Sequence, residues 1–176
     1  MDLAGRLSIT PSFARESAAP EDLKAAMRHV AGTVSVVTAG GEDDRTGATV
    51  TSATALSVEP PTMIVNINRS SSTWPVVERH RRFCVNILTA EHQAVADRFA
   101  GKGGVKGKER YAGAEWTTLA TGAPALIGSL AAIDCDVEEI IERHSHAIII
   151  GRVIAISARG GSPLIYSQGQ YRNLKD

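Results

Sequence analysis

Between Thr33 and Tyr166 short β-branched runs alternate with glycine- and proline-marked breaks, a pattern that predicts strands more often than helices. The first element is an exception. Pro20-Glu21-Asp22, then Leu23, Ala26, Met27 and Val30, has helical spacing; the acidic first turn suits the helix dipole, and Gly32 marks the stop. Strands are predicted over Thr33–Thr38, ending at Gly40-Gly41, over Thr46–Val58, ending at Pro60-Pro61, and over Thr62–Ile67. The polar loop Asn68–Thr73 leads into a short helix with Trp74, Val76 and Val77, where Pro75 is tolerated in the first turn. Phe83–Leu88 reads as a strand, Glu91–Ala100 as a helix packing Val95 and Phe99, and Gly101–Arg110 as a loop. Two long strands follow, Leu130–Glu142 and Ser145–Ser157, with a break near Arg143; Pro163–Tyr166 is a last strand before a polar tail. Because strands arrive in runs, the expected class is mainly β with added helices, an antiparallel barrel or sandwich. Residues 1–19 lack periodicity and read as a flexible arm, which leaves 20–176 as one domain.

Composition narrows the function more than the fold. A chain of 176 residues can bury a core without disulfide or metal staples. Its 19 basic and 19 acidic side chains cancel, which argues against a nucleic-acid binder. No apolar run approaches the ~20 residues of a membrane helix, and no secretory signal is visible. Cys84 and Cys135 are far apart and too few for a zinc site or a secreted disulfide scaffold, so a reducing, cytoplasmic setting is expected. Three Phe, three Tyr and two Trp are few for a protein that must hold a flat ligand. The zero net charge also conceals a cluster: residues 98–110 hold five cations against Glu109 alone.

Three segments carry candidate chemistry. Gly101-Lys102-Gly103-Gly104 fits neither a Walker loop nor a dinucleotide fingerprint. It reads first as a solvated loop, though a cationic, pliable segment around Lys102 could close over a phosphate. Thr46–Thr54 is strand-like yet dense in hydroxyls, and its small side chains let a ligand reach the backbone. Arg69-Ser70-Ser71-Ser72-Thr73 joins a guanidinium to four hydroxyls before a helix, which suits a phosphate as well as it suits a capped polar loop. His144 and His146 alternate as if on one strand face, but no further ligands complete a metal shell, so no metal is expected. Alone, a histidine at a strand start is most simply a surface residue.

Taken in order, these segments resemble the short-chain flavin reductases, the FMN-binding split-barrel reductases that feed reduced flavin to a partner monooxygenase. The resemblance spans Asp22 to Tyr171. It rests on Gly32-Thr-Val-Ser-Val-Val-Thr38, Gly47-Ala-Thr-Val-Thr-Ser-Ala53, Leu56-Ser-Val-Glu-Pro-Pro61, Asn68-Arg-Ser-Ser-Ser72 and Phe83-Cys-Val-Asn-Ile-Leu88, then on His146 through Gly151-Arg-Val153 and Pro163-Leu-Ile-Tyr166. Asn68 to Gln93 looks particularly like reductases of the pyrimidine-degradation type. What the resemblance implies is an antiparallel Greek-key split β-barrel that passes hydride from NADH or NADPH to FMN or FAD, as a homodimer. It places the isoalloxazine against Thr49, Val50, Thr51, Ser52 and Ala53, with Thr33 nearby, and the ribityl chain by Asn66. Arg69, Ser70, Ser72 and Thr73 match the phosphate loop, and Phe83 and Asn86 the pocket wall. His146 matches the histidine facing flavin and nicotinamide, preceded here by Ser145 where many relatives have Asp. Few aromatics then suit a flavin held loosely and released. Rival readings within the same fold are a corrinoid reductase, a small-molecule oxidase related to pyridoxine-phosphate oxidases, and a flavin- or haem-binding module.

Overall fold

The structure, a computed structural model, describes residues 16–174; residues 1–15, most of the expected N-terminal arm, lie outside the described residues. The chain opens with helix α1 (Pro20–Met27), then strands β1 (Gly32–Thr33), β2 (Ser35–Ala39), β3 (Thr46–Val50), β4 (Thr54–Val58) and β5 (Pro61–Asn68). Helix α2 (Trp74–His80), β6 (Arg82–Ile87) and α3 (Gln93–Phe99) follow, then β7 (Trp116–Thr118) and β8 (Pro124–Leu126). The last four strands are β9 (Ala131–Arg143), β10 (His146–Ala158), β11 (Leu164–Ser167) and β12 (Gln170–Asn173).

Seven strands form one antiparallel sheet in the order β3-β2-β6-β9-β10-β5-β4. Its two edges, β3 and β4, are consecutive in sequence and joined only by Thr51–Ala53. Four peptide steps reach roughly 15 Å, whereas the edges of a flat seven-stranded sheet would lie about 29 Å apart. The sheet must therefore curl until its edges meet at that link. Covalent chain rather than a ladder closes the barrel, which is what makes it split. The predicted single strand Thr46–Val58 is thus two strands on opposite edges.

Alternation along β2 and the residue before it, Val34, sends side chains to two cores. Val37 and Ala39 join Val65, Ile67, Phe83, Val85 and Ile149 inside the barrel, while Val34 and Val36 pack with Leu88, Phe99, Tyr111 and Leu164 beneath α3. Phe99, Tyr111 and Trp116 cluster there with ring centroids 4.7–5.5 Å apart. Both cysteines are free and buried; burial pushes the Cys135 thiol up to about 12 and the Cys84 thiol further, so neither is a ready nucleophile.

Other expectations shift. Helix α1 ends at Met27, five residues before Gly32, and none of its residues is buried. His144 is not on a strand: it sits in the β9–β10 connection at φ 49°, so the two histidines share no strand face. The expected polar tail is strand β12, paired with β11 through Gln168–Gly169, both at positive φ. That is the turn a two-residue hairpin favours. No helix among the described residues is long and apolar enough to cross a membrane.

Candidate functional site

The closure of the barrel sets the site. The Thr51–Ala53 link separates two clefts. One, of about 640 Å³, is lined by Thr49, Val50 and Thr51 on one side and by Lys102, Tyr166 and Tyr171 on the other. The second, of about 480 Å³ and largely apolar, takes Thr33 and Ala53 along with Met63, Ile87 and Pro163. Gly32 lets β1 approach the link: a Cβ there would stand 2.9 Å from the Thr51 Cβ.

The first cleft holds a pair of residues that the sequence did not single out. Tyr166 and Tyr171 pack edge to face across the β11–β12 hairpin, centroids 5.4 Å apart. Tyr171 has its phenol pushed up to about 12, chiefly by burial and also by the charge of Asp97, so it stays a neutral donor at physiological pH. Five of the other described aromatics are committed to cores or packed against them. Tyr171 also packs against the core beneath α3, and with Tyr166 it is the described aromatic pair that lines this cleft. The missed signal was Gln168-Gly169 flanked by tyrosines, a hairpin signature.

Of the cationic segment, Lys102 alone lines the cleft. Its Nζ pairs with Asp97 at 2.7 Å and lies 5.6 Å from the Tyr171 ring centroid. Arg110 instead donates to the Gly47 carbonyl at 2.5 Å, tying the segment to β3, and Arg98 donates to the Glu109 carbonyl. The segment folds into short 3₁₀ turns at Lys102–Gly104 and Gly107–Tyr111.

From the link a polar track runs to the end of the barrel. The Ser52 hydroxyl donates to the Asn66 carbonyl at 3.4 Å. Asn66 lies opposite Ile148, and two residues on, Asn68 lies opposite His146, on the same face of the sheet. The Asn68 side chain accepts from the backbone N–H and hydroxyl of Ser70 at 2.9 and 2.8 Å, shaping the 69–73 loop. Ser71 and Thr73 carry buried hydroxyl oxygens with no protein partner, and Ser72 is exposed. Such orphaned hydroxyls are a deficit that phosphate oxygens or water can meet, so the loop's chemistry fits a phosphate. Helix α2 is only seven residues long, and the fit rests on the hydroxyls. His146 is exposed, with Nδ1 2.8 Å from the Ser145 hydroxyl. Nε2 is the ring nitrogen left for a ligand.

Other expected positions lie elsewhere. Thr49 already donates its hydroxyl to the Ala96 carbonyl at 2.6 Å, so it offers a ligand its backbone and methyl group. Phe83 and Asn86 are fully buried and line neither cleft. Phe83 fills the barrel, and Asn86 bridges strands, donating to the Val36 carbonyl and Thr38 hydroxyl at 3.1 Å each and accepting from the Leu126 N–H at 2.6 Å. Both are scaffold. Arg69 faces the β9–β10 connection, where its Nη2 pairs with Glu142.

Comparison with known proteins gives a consistent neighbourhood. The family described as "Flavin reductase like domain" matches residues 27–175. An FMN reductase (NADH) RutF of Bradyrhizobium diazoefficiens is 37% identical, over 90% of this chain and 88% of that protein. An FMN reductase (NADH) RutF 2 of Methylorubrum extorquens is 39% identical, over 90% of this chain and 92% of its own. Among solved structures, BorF, the flavin reductase component of a bacterial two-component tryptophan halogenase, superposes with a TM-score of 0.81 at 28% identity, covering 89% of this chain and 98% of that one. The styrene monooxygenase flavin reductase of Pseudomonas putida superposes at 0.75 and 27% identity, covering 87% and 97%.

Proposed function

The chain belongs to the flavin reductase-like domain family, and from that premise we propose that it oxidises NADH, reduces free FMN, and releases the reduced flavin to a partner monooxygenase. The observation that carries this is the first cleft, with small hydroxyl-bearing residues on one wall and a tyrosine pair on the other, joined by a polar track to the hydroxyl loop. Flavin and nicotinamide supply the hydride chemistry. The residues present orient the two rings and shield them. Thr49–Ala53 offers backbone groups and the Val50 side chain to the flavin ring, with Thr33 across the link. Ser52 and Asn66 suit the ribityl hydroxyls, and the 69–73 loop the phosphate, through the unpartnered Ser71 and Thr73 hydroxyls and exposed Ser72, with Ser70 held by Asn68. Lys102 stands at this cleft with its ammonium exposed and paired to the half-buried Asp97 carboxylate. His146, with Nε2 free of the Ser145 contact, would donate a hydrogen bond to the flavin edge, where negative charge develops as hydride arrives. The choice of NADH and FMN follows the NADH-dependent FMN reductases to which this chain is similar. Steady-state oxidation of NADH and NADPH, each with FMN, FAD or riboflavin, tests it: NADH with FMN should give the highest kcat/KM, and a preference for NADPH or FAD would overturn that choice.

The same reading makes the protein a homodimer. Leu23 and Met27 on α1, Leu56 and Val58 on edge strand β4, and Ile154 and Ile156 on β10 are 39–87% exposed. An eight-residue helix with no buried residue gains almost nothing from packing in the monomer, and an uncovered edge strand invites pairing. A second copy covers these surfaces. Light scattering should give twice the chain mass for the wild type and a monomer for Val58→Asp/Ile156→Asp; a monomeric wild type at assay concentration contradicts it.

A further inference from the structure

Arg69 sits in the segment that the resemblance assigns to phosphate, yet its contacts all run the other way. Its backbone N–H donates to the Ser145 carbonyl at 2.9 Å, Nη1 donates to the His144 carbonyl at 3.2 Å, and Nη2 pairs with the Glu142 carboxylate. Every partner belongs to the two-residue β9–β10 connection or to the strand entering it. That connection needs holding. His144 adopts the left-handed conformation without being glycine, which L side chains adopt at a cost. The next residue, Ser145, has its hydroxyl on His146 Nδ1. The order of contact is thus Glu142 to Arg69, Arg69 to the connection, and the connection to His146.

We propose that Arg69, held by Glu142, is a positioning residue for His146 rather than a ligand of the flavin phosphate. Each contact is exposed and weak alone. Together they use the geometry of the guanidinium, one edge on a carboxylate and another on a carbonyl, which an ammonium cannot reproduce. The 69–73 loop and the histidine are then mechanically joined: Ser70 and Thr73 lie on one side of Arg69 in sequence, and its side chain grips the turn on the other. The functional part of this inference rests on the reductase reading, whereas the placement of His146 does not.

The test compares Arg69→Ala, Arg69→Lys and Glu142→Gln with the wild type, using FMN and riboflavin, which lacks the phosphate. Binding is followed by flavin fluorescence, turnover with NADH, and the His146 ring by ¹H–¹⁵N NMR. A positioning role predicts that Arg69→Ala lowers kcat about five- to tenfold with either flavin, keeps the FMN-to-riboflavin affinity ratio, and adds nothing to His146→Ala. Glu142→Gln should act in the same direction by about threefold, and Arg69→Lys should fall between wild type and Arg69→Ala. A phosphate ligand would show the opposite: FMN affinity falling about tenfold with riboflavin unchanged, which overturns the proposal. So would losses that multiply with His146→Ala. Should the wild type reduce neither flavin, the reductase reading falls, and the NMR decides the placement. Shifted or broadened His146 ring signals in Arg69→Ala and Glu142→Gln, with Tyr166 and Tyr171 signals unmoved, sustain it; an unchanged ring overturns it. Circular dichroism confirms folding, and Glu142→Gln, a surface change, keeps the test decisive if Arg69→Ala does not fold.

Discussion

Phe83→Ala is expected to lower the unfolding free energy by about 3–5 kcal/mol. The ring is fully buried in the barrel, and what it rests on makes the loss hard to recover. Across from it, Gly151 on β10 has no side chain; a Cβ built there would come within 2.6 Å of the Phe83 ring and 3.1 Å of the Cys135 Cβ. The phenyl group therefore lies on bare backbone, beside the register shift between Ile150 and Gly151. A cavity walled by hydrogen-bonded strands cannot collapse as one walled by side chains can. Gly151→Ala should destabilise from the other side by overpacking, about 1–3 kcal/mol. Phe83→Leu/Gly151→Ala should then cost less than the two singles together, because the smaller side chain vacates the space the new methyl needs. Urea denaturation at constant m-value measures all of these. A loss under about 1 kcal/mol for Phe83→Ala would mean that the ring is not the barrel's central packing element.

His146→Ala should reduce turnover with NADH and free flavin by roughly ten- to a hundredfold while leaving flavin affinity nearly unchanged. The histidine lies at the end of the polar track, opposite Asn68, with one ring nitrogen on Ser145 and the other available. A donor that acts as charge develops contributes to kcat rather than to ground-state binding. His146→Gln, which keeps a donor at similar reach, should recover part of the rate. Turnover unchanged in His146→Ala would remove the residue from the chemistry and leave a surface histidine.

How far the sequence could carry these conclusions differs from residue to residue. β-Branched runs located β2, β5, β6, β9 and β10 because their periodicity is local. Thr46–Val58 is continuous in β propensity, and its break at Thr51–Ala53 comes from the sheet edges having to meet, a tertiary demand that no short window contains. His144-Ser145-His146 imitates strand alternation, but a hairpin of two long strands needs two residues for its turn, and His144 supplies one of them at positive φ. Phe83 and Asn86 fall on opposite faces of β6, as alternation requires. Period-two reasoning could not tell that both faces are covered, one by the barrel core and the other by β8. The tyrosine pair escaped because Tyr166 closed an expected strand while Tyr171 stood in an expected tail. Only the Gln168–Gly169 turn brings them together at the cleft.

One measurement bears most directly on the central claim: anaerobic mixing of a trace of protein with NADH and a large excess of free FMN, followed by flavin absorbance. Bleaching of the whole flavin pool over many turnovers, with the reduced flavin passing a membrane that retains the protein, is the expected result for a reductase that lets its product go. Reduction that stops at one flavin per chain, or does not begin, would contradict it and make the cleft a holding site.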